Sequence, residues 1–378
     1  MYIIHSGHLN VKSGGPALSA WLTIKGLREL GVHTDIIMPP IEVGDKLIDD
    51  LACPIFYQRP ILGTLAYVPH LSDTLKSLET ADIYHIQGVW MLHGLSVSKY
   101  ARKLNKPYIV TLRGMLYPQA LNHNSFIKKV SLALYQKQIL KNAAAIQCTC
   151  IEEMEHYRAL GFKNPVAIIP NPIETGEFLR HEIPAKKLFR IGYLGRLHSR
   201  KRIERLIYAM KDLKGILSPD SELLIIGDGD ENYKSFLKSE ITKFKISNVK
   251  FTGFLTGDEK DKAIESLSIL VVPSDFENFG NIVTEALIHG VPVIASTGMP
   301  WQDLQKYNCG WWISNDQETI NKTICKAFKM GPERLKTMGL NGRELIKSSY
   351  SLEALSKKMV QLYNWILNKA PKPEFVYD

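Results

Sequence analysis

Short apolar runs alternate with longer amphipathic ones along the whole chain. "YIIHSG", "TDIIMP", "DIYHIQG", "PYIVTLRG" and "AAIQCT" read as strands of the first half. "FRIGYLG", "ELLIIGDG", "NVKFTGF", "ILVVPS" and "PVIAS" read as strands of the second. Between them, apolar positions recur at helical spacing in "ALSAWLTIKGLRELG", "LSVSKYARKLN", "KRIERLIYAMKDL", "YKSFLKSEITKF", "DEKDKAIESLS" and "NIVTEALIHG". Strand and helix taking turns predict an α/β fold whose parallel sheet is covered on both faces. Two such blocks predict two doubly wound, Rossmann-like domains. The stretch Ile169–Lys187 holds three prolines and no period, so the boundary falls there. The N-terminal domain is expected over 1–172, a linker over 173–187 and the C-terminal domain over 188–350. "SLEALSKKMVQLYNWILNKA" is an amphipathic helix with no sheet left to extend, so 351–378 is expected to return to the N-terminal domain. Ligands of open parallel sheets sit outside the carboxyl ends of the strands, which makes a cleft between two facing sheets the expected site.

Composition narrows the class. The chain has 378 residues, 45% of them apolar, enough for two cores. No run approaches the ~18–20 apolar residues of a membrane span, and "MYIIHSGHLN" lacks the features of a signal peptide. Five scattered cysteines, with Cys148 and Cys150 spaced wrongly for zinc, suit a reducing, cytoplasmic setting. The net charge of +9 is spread widely except from Lys99 to Lys141, which holds nine Lys/Arg and no acid. There Phe126, Ile127, Val130, Leu134, Ile139 and Leu140 form an apolar stripe beside Lys128, Lys129, Lys137 and Lys141. It reads either as a core-facing helix with a solvated rim or as a helix lying on an anionic membrane. A peripheral contact of 126–141 with the inner face of the cell membrane is the expectation carried forward. The basic residues do not interleave with stacking aromatics, so no nucleic-acid partner is expected.

Three stretches carry chemistry. In "YLGRLHSRKRIERLI" a strand ends at Gly195, and Arg196 and Lys201 follow before a helix that Lys201 is read as opening. Cations there oppose the helix dipole and suit an anion, most naturally a diphosphate; Arg200 and Arg202 read as surface charge. In "KSGGPALSAW" paired glycines precede a helix with Pro16 at its first turn, permitting close approach to a ligand or simply a tight turn. In "SDFENFGNIVTEALIHG" Glu277 leaves a strand end and Gly280 opens a helix whose amides, at Asn281 and Ile282, suit a phosphate. Glu285, one and a half turns in, can accept from a vicinal diol such as a ribose. "GDGDE" (Gly227–Glu231) contains Asp-x-Asp, which a turn with a helix cap explains without a metal. On the N-terminal side Gln87, Trp90, His93 and Arg113 stand at or beyond strand ends as acceptor-side candidates. His85 falls inside its strand, and Gln87 occupies the place where a base would be wanted.

Together "GRLHSRK", "FENFGNIVTEA" and "SGGPALS" resemble the retaining glycosyltransferases of family four, the group one transferases with the GT-B fold. The likeness runs over nearly the whole chain and includes A-x-x-x-G-x-P-V-I-A at Ala286–Ala295. It implies that Glu285 binds ribose hydroxyls of a nucleotide sugar and Glu277 the transferred sugar. It puts Phe279, Gly280 and Asn281 under sugar and phosphate, Arg196 and Lys201 on the diphosphate, Gly15 beside it from the other domain, and Phe254 near the base. It implies a metal-independent hexosyl transfer with retention, no cofactor beyond the donor substrate, and UDP in preference to GDP. The acceptor would be a glycan or a lipid-linked chain in surface polysaccharide or lipopolysaccharide assembly. Two alternatives stand beside it: a nucleotide-sugar epimerase of the same fold, and a non-catalytic nucleotide-sugar binder. A dinucleotide dehydrogenase is disfavoured because G-x-G-x-x-G is absent.

Overall fold

A computed structural model describes residues 1–7, 14–40, 53–59, 68–69, 71–122, 124–179, 181–184, 186 and 188–378. Lys12 and Ser13 of the glycine stretch lie outside the described residues. The contacts divide the chain into two units, Met1–Glu174 with Leu352–Asp378, and Thr175–Ser351.

The first unit is built on an eight-stranded sheet. Its strands are β1 (Tyr2–Ser6), β2 (His33–Met38), β3 (Ile55–Tyr57), β4 (Ile83–Gln87), β5 (Tyr108–Thr111), β6 (Ala145–Cys148), β7 (Val166–Ile168) and the C-terminal β14 (Val376–Tyr377). They lie in the order β14-β7-β6-β5-β4-β1-β2-β3. All pairs are parallel except β14 with β7. Alternate residues serve opposite faces, as the strand period requires. Ile4 and Val110 join one buried cluster with Val97 and Tyr157, whereas Ile3 and Ile109 join another with Leu355, Met359, Leu362 and Tyr363. The helix Leu352–Ile366 therefore covers one face of this sheet. It crosses the helix Gly15–Glu29 at Gly26, where a Cβ would stand 1.9 Å from Ser356 Oγ.

His85 ties that helix to the sheet. Thr111 donates its hydroxyl proton to Gln147 Oε1 at 2.7 Å, so it must accept from His85 Nε2, 2.7 Å away. His85 Nδ1 is then the acceptor for Tyr363 O–H at 2.7 Å. Burial holds His85 far below the usual imidazole range, with the neighbouring His5 and Arg113 adding to the effect. This histidine is a neutral core brace.

The second unit carries β8 (Arg190–Leu194), β9 (Glu222–Ile226), β10 (Val249–Gly253), β11 (Ile269–Val272), β12 (Val293–Ser296) and β13 (Gly310–Ile313). Their order is β10-β9-β8-β11-β12-β13 and every pair is parallel. The chain winds outward from β8 to β10, then restarts beside β8 with β11. The crevice at the carboxyl ends of β8 and β11 is thus the switch point of this sheet, where such folds bind ligands. In the first sheet the equivalent point lies between β1 and β4.

Candidate functional site

The loops after β8 and β11 meet at the second unit's switch point. After β8, Gly195 turns the chain with φ 131°, and a Cβ there would lie 4.0 Å from Ile282 Cγ2. Arg196 is exposed, and its guanidinium has no partner among the described residues. The chain then makes a 3-10 turn, Ser199–Lys201, whose His198 cap accepts from the Arg200 N–H. Lys201 therefore closes a short turn rather than opening the α-helix, which starts at Glu204. The reason is Arg202, held left-handed at φ 52°, which breaks the helix between the two. Arg202 is also more than surface charge. Its Nε donates to Asp275 Oδ2 at 2.6 Å while the Asp275 N–H donates to the Arg200 carbonyl at 2.9 Å, stapling the two loops together.

Across that staple the Lys201 ammonium forms an ion pair with Glu277 Oε1. The same oxygen accepts from Ser274 Oγ at 3.1 Å, and the Glu277 N–H donates to the Gly298 carbonyl at 2.9 Å. Only 12% and 13% of the two side chains is exposed, so the pair is nearly closed off. Gly280 follows with φ 82°, a left-handed backbone that favours glycine, and a Cβ there would also press on the end of Met299. It caps the helix Asn281–Ile288, which starts beside this crevice. Phe279, expected under a ligand, instead turns inward. It is 4% exposed and packs on Trp301 and Tyr350 with ring centroids 5.1 and 5.9 Å away. The Trp301 indole N–H donates to the Phe279 carbonyl at 2.5 Å, so this residue shapes the loop from behind.

Glu285 lies on the same helix and pairs with Lys260 Nζ at 3.2 Å through Oε2. Lys260, on the helix Gly257–Glu265, belongs to no motif, and sequence reasoning missed it. Phe254, between β10 and that helix, is 73% exposed. The Asp-x-Asp of "GDGDE" is spent on structure. Asp230 caps the helix Glu231–Lys243 by accepting from the Tyr233 N–H at 2.8 Å, and Asp228 pairs with Lys234 at 2.9 Å. Among the described residues no group of three His, Cys, Asp or Glu is arranged to hold a metal.

The acceptor-side candidates gather at the first unit's switch point. A Cβ on Gly7 of the β1 end would stand 2.7 Å from Gln87 Cβ of the β4 end. Gln87 is buried and both ends of its amide are taken: Oε1 accepts from Arg113 at 2.7 Å, and Nε2 faces His5 Nδ1 at 3.4 Å. Arg113 sits at φ 53° after β5, and its other amino group donates to Asn171 Oδ1 at 3.2 Å. Glu153, which sequence reasoning did not single out, secures that turn by accepting from the Gly114 N–H and, at 2.7 Å, the Thr149 N–H. Trp90 is held at φ 77°, a costly conformation for an aromatic residue. Its N–H donates to Gln136 at 2.9 Å, its indole N–H to the Met115 carbonyl at 3.2 Å, and its carbonyl accepts from Tyr135. His93 is buried in the first turn of the helix Leu92–Lys103. Gly15, in this unit, is exposed at the start of the helix Gly15–Glu29.

The basic stretch is α-helical over Ser125–Ser131 and Lys137–Lys141 with a π-helical segment, Leu132–Gln136, between them. The π segment carries Tyr135 and Gln136, the two side chains that grip the Trp90 backbone. The apolar stripe divides. Ile139 and Leu140 are buried, whereas Phe126 (78%), Ile127 (55%), Val130 (40%) and Leu134 (76%) are exposed on one side. Ser131, Tyr135 and Gln136 are buried as well, so the stretch faces the core from Ser131 onward while the start of the stripe and Leu134 stay exposed. Among the described residues no helix is long and apolar enough to cross a membrane.

With this geometry in place, likeness to known proteins is specific. The profile of Glycosyl transferases group 1 matches residues 177–345, and that of the Glycosyl transferase 4-like domain residues 14–172. An uncharacterised glycosyltransferase of Methanocaldococcus jannaschii is 27% identical over 305 residues, 78% of this chain and 80% of its own. A second from that organism is 27% identical over 176 residues, 46% of this chain and 44% of its own. A lipopolysaccharide core biosynthesis glycosyltransferase of Rhizobium meliloti is 25% identical over 230 residues, 59% of this chain and 64% of its own. Against these last two the matched stretch spans less than two thirds of their length. Among solved structures, sucrose-phosphate synthase from Thermosynechococcus elongatus superposes with a TM-score of 0.77 at 20% identity, over 98% of this chain and 100% of that one. Anabaena HepE in complex with UDP-glucose does so with 0.71 at 15% identity, over 97% and 100%. At these identities the likeness concerns the fold. The two family profiles between them take in most of the chain, which belongs to the group 1 glycosyltransferases and has their GT-B fold of two parallel-sheet α/β domains.

Proposed function

We propose that the chain transfers a hexose-type sugar from a nucleotide diphosphate donor, UDP in preference to GDP, with retention and without a metal. The observation that carries this reading is the Lys201–Glu277 pair at the β8/β11 switch point, beside the glycine-opened helix Asn281–Ile288. A cation for a leaving diphosphate and a carboxylate for sugar hydroxyls stand side by side there. HepE, of the same fold, binds UDP-glucose.

In the transfer, the bond between the anomeric carbon and the diphosphate oxygen breaks, and its electron pair goes to that oxygen. Arg196, Lys201 and the first amides of the helix stabilise the charge that develops, a role preorganised donors fill well in a water-poor site. The acceptor hydroxyl bonds to the anomeric carbon on the same face and passes its proton to the departing phosphate. Glu277 orients the sugar, and Glu285 accepts from the ribose. In the first unit, Arg113 and Trp90 receive the acceptor, a glycan or lipid-linked chain of surface polysaccharide or lipopolysaccharide assembly.

The exposed stripe Phe126, Ile127, Val130 and Leu134, beside Lys129 and Lys137, favours a peripheral contact with an anionic membrane face, where a lipid-linked acceptor would lie. A thermal-shift panel of UDP-, GDP- and ADP-sugars with wild type and Glu285→Ala tests the donor. One nucleotide class should stabilise wild type and lose its effect in the variant. No shift with any sugar nucleotide would sink the reading.

A further inference from the structure

The charge of Arg113 is incompletely answered within its own unit. The guanidinium hydrogen-bonds two neutral amides, Gln87 Oε1 at 2.7 Å and Asn171 Oδ1 at 3.2 Å. Its Nε is buried with no hydrogen-bond partner. No carboxylate among the described residues lies within ion-pair reach of it. Glu153 is near enough to favour the charged form, yet both its oxygens are taken by the amides and hydroxyl of Gly114 and Thr149. His5 and His85, the ionisable neighbours on β1 and β4, are both held neutral by burial. Burial brings Arg113 down to about 10, which still leaves it cationic at neutral pH. A desolvated cation costs stability unless an anion accompanies it. The chain nevertheless holds this one at a left-handed φ of 53° at the end of β5, with part of the side chain accessible.

We propose that Arg113 is the docking point for an anionic group, phosphate or carboxylate, on the acceptor substrate. The guanidinium keeps one N–H on each amino group beyond those spent on Gln87 and Asn171, donors of the kind that pair with the oxygens of an anion. Gln87 and Asn171 fix the plane of the group from the protein side. This rests on the reading of the first unit as the acceptor side and names the class of acceptor it takes: a chain bearing a phosphate or an acidic sugar near the hydroxyl that is glycosylated.

The test uses the full chain with inorganic phosphate and acetate as probes and chloride at equal ionic strength as the control. Wild type, Arg113→Gln, Arg113→Lys and Lys201→Gln are compared by thermal shift. Phosphate or acetate should stabilise wild type and Lys201→Gln beyond chloride. The gain should be smaller in Arg113→Gln than in wild type and partly recover in Arg113→Lys; which anion works separates phosphate from carboxylate. A gain that persists in Arg113→Gln and vanishes in Lys201→Gln would assign the anion to the β8 loop alone and overturn the proposal, as would no gain in wild type. If Arg113→Gln does not fold, crystals of wild type soaked in selenate give the answer. Anomalous density within hydrogen-bond distance of the Arg113 amino groups supports the assignment, and its absence there refutes it. Nucleotide binding to wild type is scored separately, so failure of the donor reading shows as loss of that signal.

Discussion

Lys201 and Glu277 come from loops on neighbouring strands and meet in an ion pair, with Ser274 donating to the same carboxylate oxygen. A diphosphate arriving at the switch point competes with Glu277 for the lysine. Glu277→Gln should therefore leave UDP affinity unchanged or tighter while turnover drops about a hundredfold, the order expected when one transition-state contact is lost. Calorimetry of UDP and steady-state rates on the same preparation check the split. Equal loss in both would mean that Glu277 acts only by holding the loop.

Much of this was legible in the sequence. All the interior strands except the three-residue β7 were readable as apolar runs, because parallel strands buried on both faces carry continuous hydrophobic sequence. The strands that escaped, β3, β7, β13 and β14, are two to four residues long and lie at or next to sheet margins. Their signal is too brief to separate from loop. Of the candidates named from motif spacing, Lys201 meets Glu277 and Arg113 meets Gln87, but other partners carry no such signal. Lys260, Arg202 and Glu153 reach their counterparts across 25, 73 and 39 residues, a relation that no local pattern encodes. Phe279 reads as a ligand contact in a line of motif letters. Its side-chain direction is fixed by Trp301 and Tyr350, residues the motif does not contain.

Lys260 holds Oε2 of Glu285, the carboxylate proposed to accept from a ribose hydroxyl. Lys260→Met should raise the donor KM about five- to tenfold with little change in kcat, because a hydrogen bond to a charged group loses its alignment. Lys260→Arg should recover most of it. With a 2′,3′-dideoxynucleotide as ligand, wild type and Lys260→Met should bind alike; a difference there would place the lysine elsewhere in recognition.

Acid should unfold the first unit through its buried histidines. Burial, with the charge of Arg113 second, lowers His5 from 6.5 to about 3, and His85 moves the same way. The folded state stays neutral where the unfolded chain takes up a proton. Stability is therefore undiminished above about pH 6.5 and falls as the pH drops toward 3, by roughly 1.4 kcal/mol per pH unit for each such histidine. Urea unfolding at pH 7, 6 and 5 measures the slope, and His5→Gln should flatten it. An unchanged slope in that variant would remove His5 from the account.

Phe126 and Leu134 are 78% and 76% exposed and support no core. Changing both to Asp should shift folding stability by no more than about 0.5 kcal/mol per site, yet weaken binding to vesicles containing anionic lipid. Sedimentation with vesicles of anionic and of neutral lipid, run beside thermal melts, separates the two effects. Unaltered vesicle binding would leave the stripe without a membrane role.

The central claim is that the Lys201 loop at the β8/β11 switch point holds the donor diphosphate. Its most direct test is calorimetric titration of UDP and of uridine into wild type and Lys201→Met. The account predicts that the variant loses at least about tenfold in UDP affinity, the scale of a charge-assisted contact, while uridine binds both proteins equally. Equal binding of UDP to both would contradict it.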